Sequence, residues 1–462
     1  CFQSMFFDSN LNDIILGEDQ EKAIDSIKDF IKSSDIAFNL SGVAGTGKST
    51  IINYICNWLE QQGISYVLCA PTHKAALVLE RYTQRDAITL HKLMSLSPNI
   101  DILNLDFRDL IFKIPSSTPE FPYHGVVICD EASMINDDLF KMLEAKCKEF
   151  NSKVIFSGDK QQLQPVKSRT VSLVYNLENS FTLKKIYRQS SKNALVDPLQ
   201  TLREISIPRL VSSEGEDGSI FCTSKINEFL KECLIGIKKA ISNSDILESK
   251  ILAYTNDRVY SYNNSLRKFL WENNNQYNKF EFLTAYENLE YNKAKFYNSM
   301  DYIIINEPKK VDIYIPEFVS LPAYTFELYD SLNKCSDEIS ILDKEIDEQY
   351  FNALAFKIEE IRLSAIQKSK VNKQSGNKTW QRYFKMMQSF TTPVDLMYDN
   401  RAIRKKSFDY GYAMTVHRSQ GSSINNTYID WKNINLCSDE EIRRQLQYVA
   451  LSRTRKNAYI YQ

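Results

Sequence analysis

The segment Gly42-Val43-Ala44-Gly45-Thr46-Gly47-Lys48-Ser49 constrains the fold more than any other part of the chain. It fits the pattern G-x-x-x-x-G-K-[ST] and lies between an apolar run, Ile36 to Leu40, and a helical pattern from Lys48 to about Gln61. A strand, a glycine-rich loop and a helix, in that order, form the setting a phosphate-binding loop requires. Glycines let backbone N–H groups converge on phosphate oxygens, the helix N-terminus adds positive partial charge, and Lys48 supplies a point charge to the outer phosphates. Gly42, Ala44, Gly45, Thr46, Gly47, Lys48, Ser49 and Thr50 are therefore expected to hold a nucleoside triphosphate. Mg²⁺ is the expected companion ion, with Ser49 as a metal ligand.

Such a loop needs a parallel sheet behind it, and the flanking pattern predicts one. A helical apolar period covers residues 18 to 33 (Ala23, Ile24, Ile27, Phe30, Ile31). Strands are expected at Tyr66 to Ala70, Val126 to Cys129 and Val154 to Ser157, with helices from about Lys74 and from Asp138 to Phe150. Short buried strands alternating with helices imply a parallel sheet covered on both faces. The alternation returns with Ile251 to Thr255, a helix to about Trp271, Tyr412 to Val416, Thr427 to Asp430, a helix over 438 to 452, and Ala458 to Tyr461. The fold class is thus α/β with two such units. Between Leu93 and Gly125 the pattern breaks at Pro98, Pro115, Pro119 and Pro122, which suggests a small hairpin insertion. Residues 275 to 405 interrupt the second unit. There, 336 to 360 hold eight acids and two lysines, while 363 to 394 hold six Lys/Arg and no acid, interleaved with Trp380, Tyr383, Phe384 and Phe390. An antiparallel helical pair with solvated faces explains this, as does a face on which Lys378, Arg382 and Lys385 meet a phosphate backbone.

Charge excludes one class of partner. With 57 Lys+Arg against 58 Asp+Glu the net charge is −1, so the chain does not hold nucleic acid by bulk attraction, although a local basic groove is compatible with that total. No apolar run approaches the roughly 18 to 20 residues of a membrane span, and the N-terminus lacks a secretory pattern; a soluble, cytoplasmic protein is expected. The nine cysteines form no C-x-x-C pair and read as reduced, buried residues. Cys1 to Met5 resemble a protease-cleavage scar and are set aside.

Two further strand ends carry chemistry. Val126 to Cys129 runs into Asp130-Glu131, where Asp130 would hold the Mg²⁺ shell and Glu131 would polarise an attacking water. Val154 to Ser157 runs into Gly158 to Val166, whose Gln162 is a candidate sensor of the γ-phosphate and the water. Hydrolysis also needs positive charge at the transition state, an effect of about 10³ to 10⁵ in rate. Lys48 is the loop's own cation; Arg188 and Arg453 are the candidates from elsewhere.

In chain order, these motifs resemble those of the superfamily 1 helicases, particularly the 5′→3′ branch of RecD-like and Dda-like enzymes. The matching segments are Gln20 in Ile15-Leu16-Gly17-Glu18-Asp19-Gln20, the phosphate loop, Ala70-Pro71-Thr72-His73-Lys74-Ala75-Ala76, Thr89-Leu90-His91, Asp130-Glu131-Ala132-Ser133 and Gly158 to Val166. Tyr187-Arg188, Ala253-Tyr254-Thr255-Asn256, Thr415-Val416-His417-Arg418-Ser419-Gln420-Gly421 and Tyr448-Val449-Ala450-Leu451-Ser452-Arg453 complete a set that runs from residue 15 to 453.

The resemblance implies two RecA-like lobes with ATP between them and single-stranded DNA across both. Gln20 resembles an adenine-reading glutamine, Arg188 and Arg453 the arginines presented to the γ-phosphate, and Gln420 with Gly421 a further nucleotide contact. Pro71, Thr72, His73, Thr89 and His91 in the first lobe, and Thr255, Asn256, Thr415 and His417 in the second, match strand-contacting positions. Three of the four histidines fall among them. Hydroxyl and imidazole donors suit phosphate contacts that position a strand without reading its sequence. The lobes would span 6–93 with 125–190, and 191–274 with 406–462. Residues 94–124 would form a strand-splitting pin, with Leu105, Phe107 or Phe112 as the wedge, and 275–405 an SH3-like β-barrel plus helical tower, with barrel strands from 313 to 329.

The expectation is an ATP-dependent helicase that moves 5′→3′ on single-stranded DNA and opens duplex at single/double-strand junctions. It would act as a monomer, alongside single-strand-binding, replication or recombination proteins and without a membrane. The alternatives are the ATPase motor subunit of a recombination nuclease complex and a 3′→5′ translocase. Against the former, the sequence shows no nuclease cluster of metal-binding acids, and with nine residues after Arg453 no appended domain is expected.

Overall fold

The computed structural model describes residues 16–94, 97–99, 111–113, 121–164, 172–187, 193–204, 208–291, 293–331 and 333–462. The chain divides into two compact units, one of residues 1–96 and 114–191, the other of 97–113 and 192–462.

The first unit runs through α1 (Glu18–Lys32), β1 (Ala37–Gly42), α2 (Lys48–Gln61), β2 (Tyr66–Ala70), α3 (His73–Thr83), β3 (Ala87–Thr89) and the one-turn α4 (Leu90–Leu93). Two short strands, β4 (Ser97–Asn99) and β5 (Ile111–Lys113), then pair antiparallel and group with the second unit. The first unit resumes with β6 (Val126–Cys129), α5 (Asp137–Glu149), β7 (Lys153–Gly158) and β8 (Ser180–Leu183). Its six strands form one parallel sheet in the order β3-β2-β6-β7-β1-β8. Side chains alternate across it. Ile128 and Ile155 face a core with Ile24 and Ile27 of α1 and Ile51, Ile55 and Leu59 of α2, while Phe156 meets Phe140 of α5 at 5.5 Å between ring centres. Both faces are therefore covered, and the strands read as near-continuous apolar runs.

The second unit contains α6 (Val196–Arg203), β9 (Ser219–Thr223), α7 (Ile226–Ser242), β10 (Ser249–Ala253) and α8 (Asn256–Leu270). Strands β11 (Phe282–Ala285), β12 (Leu289–Glu290), β13 (Lys295–Phe296), β14 (Asp301–Ile304), β15 (Lys309–Tyr314), β16 (Ser320–Asp330) and β17 (Cys335–Leu342) follow, then helices α9 (Glu348–Val371) and α10 (Lys373–Gln388). The chain ends with β18 (Leu396–Tyr398), β19 (Arg401–Arg404), β20 (Phe408–Tyr410), β21 (Ala413–Thr415), β22 (Ile424–Asp430), α11 (Trp431–Ile434), α12 (Glu440–Ser452) and β23 (Thr454–Tyr461). A parallel sheet orders as β21-β10-β22-β23-β9. An antiparallel, half-barrel sheet runs β15-β16-β14-β11-β20, with β17 added to β16.

The acidic stretch from 336 departs from the all-helical reading. Ile339 and Ile341 point inward with period two, so the residues pair along β16 as strand β17 and the helix starts only at Glu348. Helices α9 and α10 do form the expected pair. They cross closely at Gly376, where a Cβ would fall 2.6 Å from the Ser369 Cα, and they pack Leu354, Ile358, Trp380 and Met386 onto Leu321, Ala323 and Leu342 of the sheet. Two buried ion pairs tie the half-barrel to the parallel sheet and its helix: Lys250 to Asp301 at 2.8 Å and Arg267 to Glu281 at 2.8 Å. Among the described residues, no helix is long and apolar enough to cross a membrane. All eight described cysteines are unpaired.

Candidate nucleotide site and strand-contact motifs

Left-handed Gly45 (φ 89°) and Gly47 (φ 85°) shape the loop between β1 and α2, a backbone turn that glycine adopts at little steric cost. Gly47 is also the N-cap of α2 and offers no side-chain cap, so the first amides of a 14-residue helix stay available to an anion. Lys48 Nζ donates to the carbonyls of Gly42 (2.6 Å) and Val43 (3.3 Å), and Thr46 Oγ1 to Val43 (2.9 Å), which keeps the cation on the loop. Thr50 Oγ1 lies 2.8 Å from the Tyr82 hydroxyl. Gln20 is buried and bridges two elements: its Oε1 accepts from Gly17 N (3.0 Å), capping α1, and its Nε2 donates to the Thr46 carbonyl (3.1 Å).

Tyr187 closes the same region. Its backbone N–H donates to the Gly45 carbonyl (2.8 Å) and its hydroxyl to Asp19 (2.5 Å). Desolvation and that bond push its phenol up to about 12. Arg188, the next residue, lies outside the described residues.

In the same sheet, Asp130 and Glu131 follow the end of β6. The Asp130 carboxylate takes no hydrogen bond or ion pair among the described residues, while its N–H bonds the Cys69 carbonyl (3.0 Å). Glu131 holds a left-handed backbone (φ 53°), a costly conformation for a residue with a Cβ. Gln162 is 4% exposed and its Oε1 is buried without a partner; an acceptor left so costs about 1 to 3 kcal/mol. The donor set thus fits a triphosphate with Mg²⁺: loop amides and Lys48 for phosphate oxygens, the Ser49 hydroxyl and Asp130 for the metal, and an unsatisfied amide oxygen for a water.

In the second unit, Arg453 is 5% exposed at the end of α12. Its Nη1 donates to the Ser422 carbonyl (3.4 Å) and its Nη2 to Ser452 Oγ (3.1 Å), while Nε has no partner. The structure therefore gathers Arg453 against the turn that holds Gln420 and left-handed Gly421 (φ 72°).

The strand-contact motifs share one local device. Thr72 caps α3 by accepting from Ala75 N (3.2 Å), Thr89 caps α4 from Lys92 N (3.2 Å), and Thr255 caps α8 from Arg258 N (3.3 Å). Thr415 accepts from Arg418 N (3.4 Å). An accepting hydroxyl keeps its own proton free to donate. Pro71 and His73 flank Thr72, and Asn256 opens α8. Burial holds the His91 and His417 imidazoles below their ordinary range, so both are neutral donors or acceptors near pH 7.

Two family models match the chain: AAA domain over residues 15–225 and UvrD-like helicase C-terminal domain over residues 410–461. The ATP-dependent DNA helicase dda of Enterobacteria phage T4 is 24% identical over 468 residues, spanning 96% of this chain and 98% of that protein. Along nearly its whole length the chain is similar to the superfamily 1 helicases of the RecD/Dda type. The ATP-dependent RecD2 DNA helicase of Deinococcus radiodurans is 34% identical over 158 residues, 34% of this chain and 20% of that protein. A crystal structure of the Pif1 helicase from Candida albicans shares the fold with a TM-score of 0.50 at 16% identity, covering 97% of this chain and 94% of that one.

Within this helicase, sequence reasoning missed the groups that hold the motifs in place. Asp430, at the end of β22, accepts from Arg258 Nε (2.6 Å), the Tyr262 hydroxyl (2.7 Å) and Asn433 N (2.9 Å). Asn433 Oδ1 in turn accepts from Tyr254 N (2.7 Å) and Thr255 N (3.0 Å). An acid closing a predicted strand was the available signal, the same one that singled out Asp130. Of the basic face on α10, Arg382 is engaged by Glu317 (Nε–Oε1, 2.7 Å), while Lys378 and Lys385 are exposed. The proposed wedge residues Leu105 and Phe107 lie outside the described residues, as do the Phe112 side chain and Pro165-Val166.

Proposed function

We propose that the chain is an ATP-driven motor that moves 5′→3′ along single-stranded DNA and unwinds duplex. The family assigns it to the ATP-hydrolysing DNA helicases. The observation that carries the mechanistic reading is the buried, unpaired Gln162 oxygen beside a phosphate loop with nest-forming glycines and strand-end acids. In this reading the loop amides and Lys48 bind the outer phosphates, and Gln20 reads the base. Ser49 and Asp130 would hold Mg²⁺, which would supply charge neutralisation at the phosphate oxygens. Glu131 and Gln162 orient the water, and Glu131 accepts its proton. Arg188 and Arg453 stabilise the charge that develops on the transferring phosphoryl group.

Alternating grip by Pro71, Thr72, His73, Thr89 and His91 on one lobe, and by Thr255, Asn256, Thr415 and His417 on the other, would convert each cycle into a step. We propose lobes of 6–93 with 125–190 and 191–274 with 406–462, a pin at 94–124 and a bracing insertion at 275–405. Base-pair steps cost on average about 1.4 kcal/mol to unstack. The half-barrel tied to the parallel sheet by Lys250–Asp301 and Arg267–Glu281 supports a brace of that strength. Polarity rests on likeness to the RecD-like branch.

The test combines Lys48→Ala with duplexes carrying a 5′ or a 3′ single-stranded tail, in DNA and RNA versions. DNA-stimulated ATPase should fall on the order of 10³-fold in the variant, and the wild type should open the 5′-tailed DNA. Unwinding of the 3′-tailed substrate alone would reverse the polarity, and stimulated ATPase surviving in Lys48→Ala would remove the site assignment.

A further inference from the structure

Tyr175 lies in the 3-10 turn Leu173–Asn176, which Ser172 caps by accepting from Val174 N (3.4 Å) and which Asp137 tethers by accepting from Leu173 N (3.4 Å). Its hydroxyl is buried without a hydrogen-bond partner. It sits over Gly158: a Cβ there would come within 2.6 Å of the hydroxyl oxygen and 3.1 Å of the Ala132 Cβ. Glycine at 158 thus leaves room for a phenol hydroxyl behind the Asp130-Glu131-Ala132 turn, between the ends of β6 and β7. Burial, followed by the charges of Asp159, Glu131 and Asp130, holds the phenol well above its ordinary range, so this oxygen keeps its proton and can donate. A buried donor without a partner, on a turn fixed at both ends and packed beside Gly158 and Ala132, the residue after Glu131, is an unusual use of a tyrosine if it only packs.

We propose that Tyr175 is a positioning residue for hydrolysis, whose hydroxyl donates to the Glu131 carboxylate when nucleotide is bound and so aims the oxygen that receives the water's proton. The inference rests on the nucleotide reading above. In the step it serves, the water oxygen bonds to the γ-phosphorus as the bond from that phosphorus to the bridging oxygen breaks. The electron pair leaves with ADP, the water's proton passes to Glu131, and Tyr175 keeps its own. The strained left-handed backbone at Glu131 (φ 53°) already restricts that carboxylate, and a donor behind it would complete the restriction.

Tyr175→Phe keeps the ring and removes the hydroxyl. The variant should lower kcat for stimulated ATPase about tenfold, with KM for ATP within about twofold of wild type. Without nucleotide, the melting temperature should stay level or rise, because an unpaired buried hydroxyl is gone. Added to Glu131→Gln, the same change should leave the residual rate untouched, since Tyr175 acts through Glu131. Wild-type kcat in Tyr175→Phe, alongside a dead Lys48→Ala, would overturn this inference and leave the nucleotide site standing. An active Lys48→Ala would bring down both.

Discussion

Two aspartates close strands of the two parallel sheets, and their surroundings are opposite. Asp130 follows β6 and its carboxylate takes no partner among the described residues, with a buried, unpaired Gln162 oxygen in the same region. Asp430 ends β22 at 1% exposure and accepts from Arg258, Tyr262 and Asn433. The same sequence signal therefore marks two different jobs. On the proposed reading, the acid left unsatisfied by the fold is reserved for an arriving ligand, whereas the saturated acid is structural. Through Asn433, the second one positions Thr255 at the start of α8.

Removing each carboxylate should separate these roles most sharply. Asp430→Ala leaves Arg258, whose side chain is 33% exposed, without its counter-charge and a buried phenol without its acceptor. Loss of one partner of a buried pair costs about 3 to 5 kcal/mol, and the exposure of Arg258 puts the expectation at about 3 kcal/mol. Asp130→Ala should change stability by less than about 1 kcal/mol while abolishing Mg²⁺-dependent hydrolysis. Urea unfolding of both variants checks this, and equal losses would erase the contrast.

A smaller effect compares the capping threonines of the two units. Thr72→Ala removes one N-cap and should cost about 1 kcal/mol. Thr255→Ala removes a cap and also the partner of Asn433 Nδ2 (3.2 Å), so its cost should approach 2 kcal/mol. Both should weaken binding to single-stranded DNA, read by fluorescence anisotropy at fixed salt. If the two stabilities fall equally, the Asp430–Asn433 relay does not reach Thr255.

What the sequence made legible follows from where each interaction lies along the chain. The phosphate loop, and strands such as Val126–Cys129, depend on neighbours in sequence and on continuous apolar runs, so motif and periodicity find them. Strand β8 is an edge strand with little burial, and its residues carry no such run. Asn433, which holds Thr255, lies 178 residues away, and Tyr175 gains meaning only from the packing of its turn over Gly158. The acid-rich stretch before α9 misled because charge content outweighed the two-residue alternation of Ile339 and Ile341. Chemistry held by local backbone was readable; chemistry held by pairing across the fold was not.

The smallest expected effect concerns the histidines. Burial depresses the His417 imidazole below its ordinary value of 6.5, so the unfolded chain takes up the proton more readily than the folded one. The stability this group contributes is therefore present above about pH 6.5 and is lost as pH falls toward its depressed folded value. His417→Gln should flatten that acid dependence between pH 7.5 and 5.5 in urea unfolding. At pH 7.5 the ring is neutral, so the substitution should leave the salt dependence of DNA binding unchanged and reduce affinity by no more than one neutral hydrogen bond, about 0.5 to 1.5 kcal/mol. A shallower salt dependence in His417→Gln would mean that the imidazole meets phosphate as a cation. The second unit's strand contact would then be electrostatic, in contrast with the hydroxyl and neutral-ring donors that its geometry presents.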